Sequence, residues 1–150
     1  FNFGPHIIDL LIYLVDDIGE VTARWNYGLR HALIEDHTSL MMVGRNTGAI
    51  GVGEISYTIP RGYERCFSVT TDRLHIGGDV GIGDLLLRDG ETEPISGMNG
   101  LEVYDHYVGE TLNAFATGGT PIATIHDMVP VLRVMNAAAD SAAEESTVTL

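Results

Sequence analysis

Asn2-Phe3-Gly4-Pro5-His6-Ile7-Ile8-Asp9-Leu10-Leu11 stands at the start of the chain and places a histidine at the mouth of a strongly apolar run. Proline has a fixed φ that suits the first helical position, and glycine suits the residue before it. The spacing therefore predicts a helix that opens here, with His6 in its first turn and Asp9 almost one turn further on. Asn2 falls on the incoming segment. Over residues 5–16, Ile8, Leu11, Ile12 and Val15 share one face and Leu10 and Leu14 broaden it, so the helix is expected to be buried. An imidazole beside the partial positive charge of a helix start favours its neutral form, which can take a proton from a hydroxyl. From the residues alone, His6 is either such a proton acceptor or a capping and packing residue. Asp9 is either its polar neighbour or simply a residue that suits the first turns of a helix.

After Ile18-Gly19-Glu20 the pattern changes to short β-like runs separated by Gly, Asn and Asp: Val21 to Tyr27, Thr38 to Gly44, Ala49 to Ile59, Arg65 to Thr71, Leu74 to Gly77 and Asp84 to Arg88. Arg45-Asn46-Thr47-Gly48 reads as a hairpin turn, because Asn and Gly tolerate the positive φ of tight turns. Helical period returns from Leu101 to Thr117, where Gly118-Gly119 supplies a stop. A further helix is expected from Ile125 to Ala143, with Thr124 as its cap, Pro130 early enough to be tolerated, and Val129, Leu132, Met135, Asn136 and Ala139 along one side. Ser146 to Leu150 reads as a last strand. Helix, strands, helices and strand, segregated in this way, predict an α+β class with an open, largely antiparallel sheet.

Length and composition bound the function. A chain of 150 residues, 45% hydrophobic, is one domain of ordinary size with a real core. No apolar run reaches the roughly 18 residues of a membrane span, and no signal-peptide pattern precedes the first helix, so a soluble, cytoplasmic protein is expected. One cysteine, Cys66, cannot form an internal disulfide, in keeping with a reducing compartment. All eight basic residues are Arg, against 21 acidic ones, and a net charge of −13 argues against nucleic acid or an anionic membrane as partner. His37, His75, His106 and His126 show no metal-ligand spacing, and no metal is expected. Ser56 and Ser68 lie in β patterns without a nucleophile elbow. The stretch Gly77-Gly78-Asp79-Val80-Gly81-Ile82-Gly83 is followed by Leu85-Leu86-Leu87 and a turn, not by a helix, so it is not a phosphate-cradling loop.

Taken in order, these pieces resemble the C-terminal domain of the glucose-fructose oxidoreductase / inositol dehydrogenase (Gfo/Idh/MocA) family over nearly the whole chain. The carriers are Asn2-x-Gly4-x-His6-x-x-Asp9-Leu10-Leu11, the Glu35-Asp36 and Gly48-Ala49-Ile50-Gly51 pair flanking a strand hairpin, and Tyr107-x-x-Glu110-x-x-x-x-Phe115 with the helix and strand that follow. The resemblance implies an open sheet with helices packed on one face. It also implies that residues 1–150 form a substrate-binding and oligomerisation domain, while NAD or NADP is bound mainly by an N-terminal Rossmann domain that this chain lacks. The family's catalytic lysine, in a Glu-Lys-Pro motif, belongs to that other domain, and there is no lysine here.

By the same resemblance His6 occupies the position of the active-site histidine, and Asn2 stands where many members carry Asp. Asn cannot act as a base, so Asn2 is expected to orient His6 or substrate. Asp9 is placed with it on the substrate side. Arg61 and Tyr63, in the loop Pro60-Arg61-Gly62-Tyr63-Glu64-Arg65, border the substrate in the family's terms; as plain sequence they equally fit an exposed loop. Tyr107 matches a helix position that faces the cofactor in relatives, and with Phe115 it also fits a core position.

The expected function is thus the substrate-binding and oligomerising half of an NAD(P)-dependent dehydrogenase of a sugar, polyol or related alcohol. The complete protein is expected to be an oxidoreductase, this fragment alone to be inactive, and the assembly to be a homodimer or homotetramer through the sheet. The chain starts abruptly on a structured motif, at Phe and not Met, as expected of part of a longer polypeptide or of a chain whose short leader has been processed. The alternative from another class is a non-catalytic module that self-associates through its sheet.

Overall fold

The computed structural model describes residues 4–27, 35–56, 66–72, 75–79, 83–88, 91–94 and 100–150. In chain order the elements are α1 (Gly4–Leu14), β1 (Ile18–Asn26), β2 (His37–Gly44), β3 (Ile50–Ser56), β4 (Cys66–Thr70), β5 (His75–Asp79), β6 (Gly83–Arg88), β7 (Glu91–Pro94), α2 (Gly100–Thr117), α3 (Met128–Glu144), which follows a single 3-10 turn at Ile125–Asp127, and β8 (Val148–Thr149). They fall into two compact units, Phe1–Pro60 with Ile125–Leu150, and Arg61–Thr124.

In the first unit a four-stranded sheet runs in the order β3-β2-β1-β8, antiparallel throughout. Side chains alternate across it as strand geometry requires. Val21, Ala23, Leu40 and Met42 point inward and meet Ile8 of α1 and Val131, Val134, Ala137 and Ala138 of α3 in one core. Glu20, Ser39, Met41, Val52 and Glu54 point the other way and are exposed. Both helices therefore cover the same face, and the fold is the expected α+β arrangement. Full burial of Ile8, Val131 and Val134 contributes about 1.5–3 kcal/mol apiece relative to exposure.

The turn at residues 45–48 forms as anticipated: Gly48 adopts φ +68°, its N–H donates to the Gly44 carbonyl at 2.9 Å, and Gly44 N–H donates to Ala49 at 2.8 Å. Two helix details differ from the expectation. Only one stripe of α1 is buried; His6, Asp9, Leu10 and Tyr13, at i, i+3, i+4 and i+7, form an exposed one. In α3 the N-cap is Asp127, and Pro130 is the third helical residue, where an N–H has no intrahelical partner anyway. The face of α3 that packs is Val131, Val134, Ala138 and Ser141, whereas Val129 and Leu132 are half exposed.

Ser141 closes the sheet. The β1–β8 register pairs Glu20 with Thr149 and Val21 with Val148, and carried two residues further it would set Ala23 opposite Ser146. The Ser141 hydroxyl sits in that step: Ala23 N–H donates to its Oγ at 2.9 Å, and the hydroxyl donates to the Ser146 carbonyl. A fully buried side chain from the helix thus replaces one rung of the ladder. Arg24 completes the junction by donating to the carbonyl of Glu145 at 2.8 Å, beyond the helix end where carbonyls lack intrahelical donors.

The second unit holds an antiparallel sheet in the order β4-β5-β6-β7. Gly77 and Gly78 lie within β5 and Gly83 opens β6, each paired across strands, so β5 runs two residues beyond the anticipated Gly77 and β6 starts one residue before Asp84. Strand β7 was not expected, because Glu91-Thr92-Glu93-Pro94 is polar and ends in proline. It is an edge strand among those described, where a missing N–H is tolerated. Helix α2 stops as anticipated, with Gly118 at φ +71° and Gly119 N–H donating to Ala114 at 2.8 Å. Among the described residues no helix is long and apolar enough to cross a membrane.

Candidate functional site

His6 is the third residue of α1, in the first helical turn, and its side chain is exposed. Asp9 is exposed on the same side, one turn on, where side chains three apart are neighbours at about 5–6 Å between Cβ atoms. The imidazole is thus presented outward by a helix whose opposite side is committed to the core through Ile8. Such a group can exchange a proton with a molecule brought against this face.

The β2–β3 hairpin seats this helix. Gly51 and Gly53 are, with Ile55, the inward, buried positions of β3, and α1 lies against the two glycines: a Cβ at Gly51 would come within 2.9 Å of Leu11 Cδ2, and one at Gly53 within 2.9 Å of Ile7 Cγ2. At the far end, the Asp16 carboxylate grips the hairpin turn. It accepts from the Asn46 side-chain amide at 3.0 Å, from Asn46 N–H at 2.7 Å and from Thr47 N–H at 3.0 Å, as well as from Asp17 N–H at 2.7 Å. These bonds, the Asn46 amide first, stabilise the charged form and lower its pKa from 3.8 to about 2. Beside this latch Arg45 donates to Asp17 at 3.2 Å and to the carbonyls of Ile18 and Leu150 at 3.2 and 2.9 Å.

Of the other anticipated site residues, Asn2, Arg61 and Tyr63 lie outside the described residues. Tyr107 belongs to the second unit, on α2, and is 43% exposed, so it is not a core residue of that helix; Phe115 is 68% exposed. A cavity of about 250 Å³ in the first unit opens between Ile18, Arg45, Pro130 and Arg133, beyond the C-terminal end of α1, and holds none of the anticipated residues. Nicotinamide dinucleotide does not fit the described residues as a binding site: the glycine-rich run is strand on both sides, and no glycine loop leads from a strand into a helix start. Sequence reasoning passed over Asp16, Ser141 and Gly53. The spacing of Gly51 and Gly53, two glycines on one face of a strand, is the signal that would have shown where a helix approaches closely.

No protein-family model matches the chain, and no curated protein matches it by sequence. Solved structures do. Levoglucosan dehydrogenase, in complex with NADH and levoglucosan, superposes with a TM-score of 0.84 at 19% identity, over 99% of this chain and 49% of that one. The aldose-aldose oxidoreductase of Caulobacter crescentus, complexed with glycerol, gives 0.84 at 19% identity, over 98% and 46%. An oxidoreductase from Agrobacterium radiobacter, in complex with NAD+, L-tartaric acid and magnesium, gives 0.83 at 18% identity, over 97% and 47%. The fold is that of the Gfo/Idh/MocA-type oxidoreductases. The chain spans about half the length of these structures.

Proposed function

We propose that this chain is the substrate-binding and oligomerisation half of an NAD(P)-dependent dehydrogenase acting on a sugar, polyol or related alcohol. The observation that carries this reading is the exposed imidazole of His6 in the first turn of α1, on a fold that includes structures crystallised with NAD+ or NADH and with small hydroxylated molecules. Oxidation of an alcohol removes two things: a hydride from carbon, which a nicotinamide held by another domain would accept, and the O–H proton. His6 takes that proton, and Asp9 stands on the substrate side one helical turn away. From the family resemblance alone, Asn2, Arg61 and Tyr63 are proposed as substrate residues and Tyr107 as a cofactor residue. In this reading the nicotinamide nucleotide and the lysine are supplied by a separate nucleotide-binding domain.

Self-association belongs to the same reading. The outward face of the first sheet carries Met41 opposite Val52 and Val43 opposite Ile50, and Met41, Ile50 and Val52 are 44%, 69% and 71% exposed. A second copy would cover them.

The test uses the complete polypeptide. A panel of sugars and polyols is expected to reduce NAD or NADP, and His6→Ala to lower kcat by about 10²–10⁴ while leaving nicotinamide binding intact. Unchanged turnover in His6→Ala removes the histidine from the mechanism. The 150-residue chain alone is expected to show no NAD affinity by calorimetry; tight binding would contradict this division of labour.

A further inference from the structure

We propose that Gly53 is a positioning residue for His6, setting the height at which the first turn of α1 rests on β3; the inference rests on the reading of His6 as proton acceptor. The two glycine contacts under α1 are not equivalent. At Gly51 the approaching atom is Leu11 Cδ2, the far end of a flexible side chain that a small rotation moves aside. At Gly53 it is Ile7 Cγ2, a methyl bonded directly to the Cβ of a β-branched residue, whose χ1 is held to one strongly preferred rotamer in a helix. That methyl moves only if the helix moves. Other neighbours of the absent Cβ, Leu11 Cδ1 at 3.8 Å and Leu40 Cβ at 3.9 Å, are at ordinary contact distance, so Ile7 alone sets the clearance.

Ile7 is the residue next to His6, and the opposite end of α1 is fastened to the hairpin turn through Asp16, Asn46 and Thr47. A methyl group at position 53 therefore pivots the helix about its fastened end and lifts the turn that holds the imidazole. Placement matters to proton transfer, because a misplacement of about 1 Å can cost about 10²-fold in rate. A bare glycine surface under Ile7, buried and without positive φ, has its use in this close approach.

The experiment is a double-mutant cycle in the complete enzyme, reading kcat and KM. Gly53→Ala is expected to lower kcat by about 10- to 100-fold when His6 is present and by less than about twofold in the His6→Ala background, because the lost contribution is the one that passes through the imidazole. A loss of equal size in both backgrounds marks a general structural defect and overturns the proposal, as does full activity in Gly53→Ala with His6 present. If Gly53→Ala does not fold, Ile7→Ala removes the same strut from the helix side and is read in the same cycle by the same criteria. Should His6→Ala itself leave turnover unchanged, the assignment of His6 fails first and the role of Gly53 falls with it; a His6-dependent enzyme indifferent to position 53 sinks the positioning proposal alone.

Discussion

Ser141 shows how much one buried hydroxyl can carry. It accepts from Ala23 and donates to Ser146 where the β1–β8 ladder would otherwise have a direct rung. Ser141→Ala leaves a buried N–H without an acceptor and a carbonyl without its donor, and is expected to lower stability by about 1–3 kcal/mol in denaturant titrations. Thr22→Val removes the exposed pair between Thr22 and Thr147 hydroxyls and is expected to cost under about 0.5 kcal/mol. Equal costs would show that Ser141 is not a replaced rung. At this scale the sequence was only partly legible. A polar residue at a helix start announced His6, but serine in an alanine-rich helix reads as surface, and its acceptor role toward a residue 118 positions away leaves no local trace.

Helix α1 and the β2–β3 hairpin act as one piece. Asp16, at the end of one, is held by the turn of the other, and its pKa near 2 lies below the ordinary 3.8. A depressed carboxylate pKa stabilises the fold above the unfolded value, so this contribution is fully present above about pH 3.8 and is lost as pH falls toward about 2. Melting temperatures followed from pH 5 to pH 2 are expected to fall more steeply for the native chain than for Asp16→Ala, with the two curves converging at the acid end. Parallel curves would dismiss the latch. The elements themselves were legible where period and punctuation agree: Gly4-Pro5 before an apolar stripe, alternation in β1 to β3, Gly118 after α2. They were not legible where chemistry is neutral. Strand β7 has no apolar alternation and exists because β6 offers it an edge. In α3, Val129 and Leu132 are as apolar as Val131 and Val134, so only tertiary contact decides which side is buried.

For the whole molecule, the outward face of the first sheet predicts assembly. Val52→Glu places a carboxylate opposite Met41 on that face and is expected to turn an oligomer into a monomer by light scattering, with the far-ultraviolet circular dichroism unchanged. A native protein that is monomeric at high concentration would end the assembly reading. The order of elements had already given the α+β class; the division into two units had no signature, because no linker marks it. That division has a consequence for synthesis. The first unit joins residues 1–60 with residues 125–150, with residues 61–124 emerging between them, so β1 gains its β8 partner and its α3 cover only after residues 128–149 have left the ribosome. Until then the nascent polypeptide exposes an unpaired edge and a half-open core, the state in which a chaperone is needed most and a wrong neighbour is met most easily.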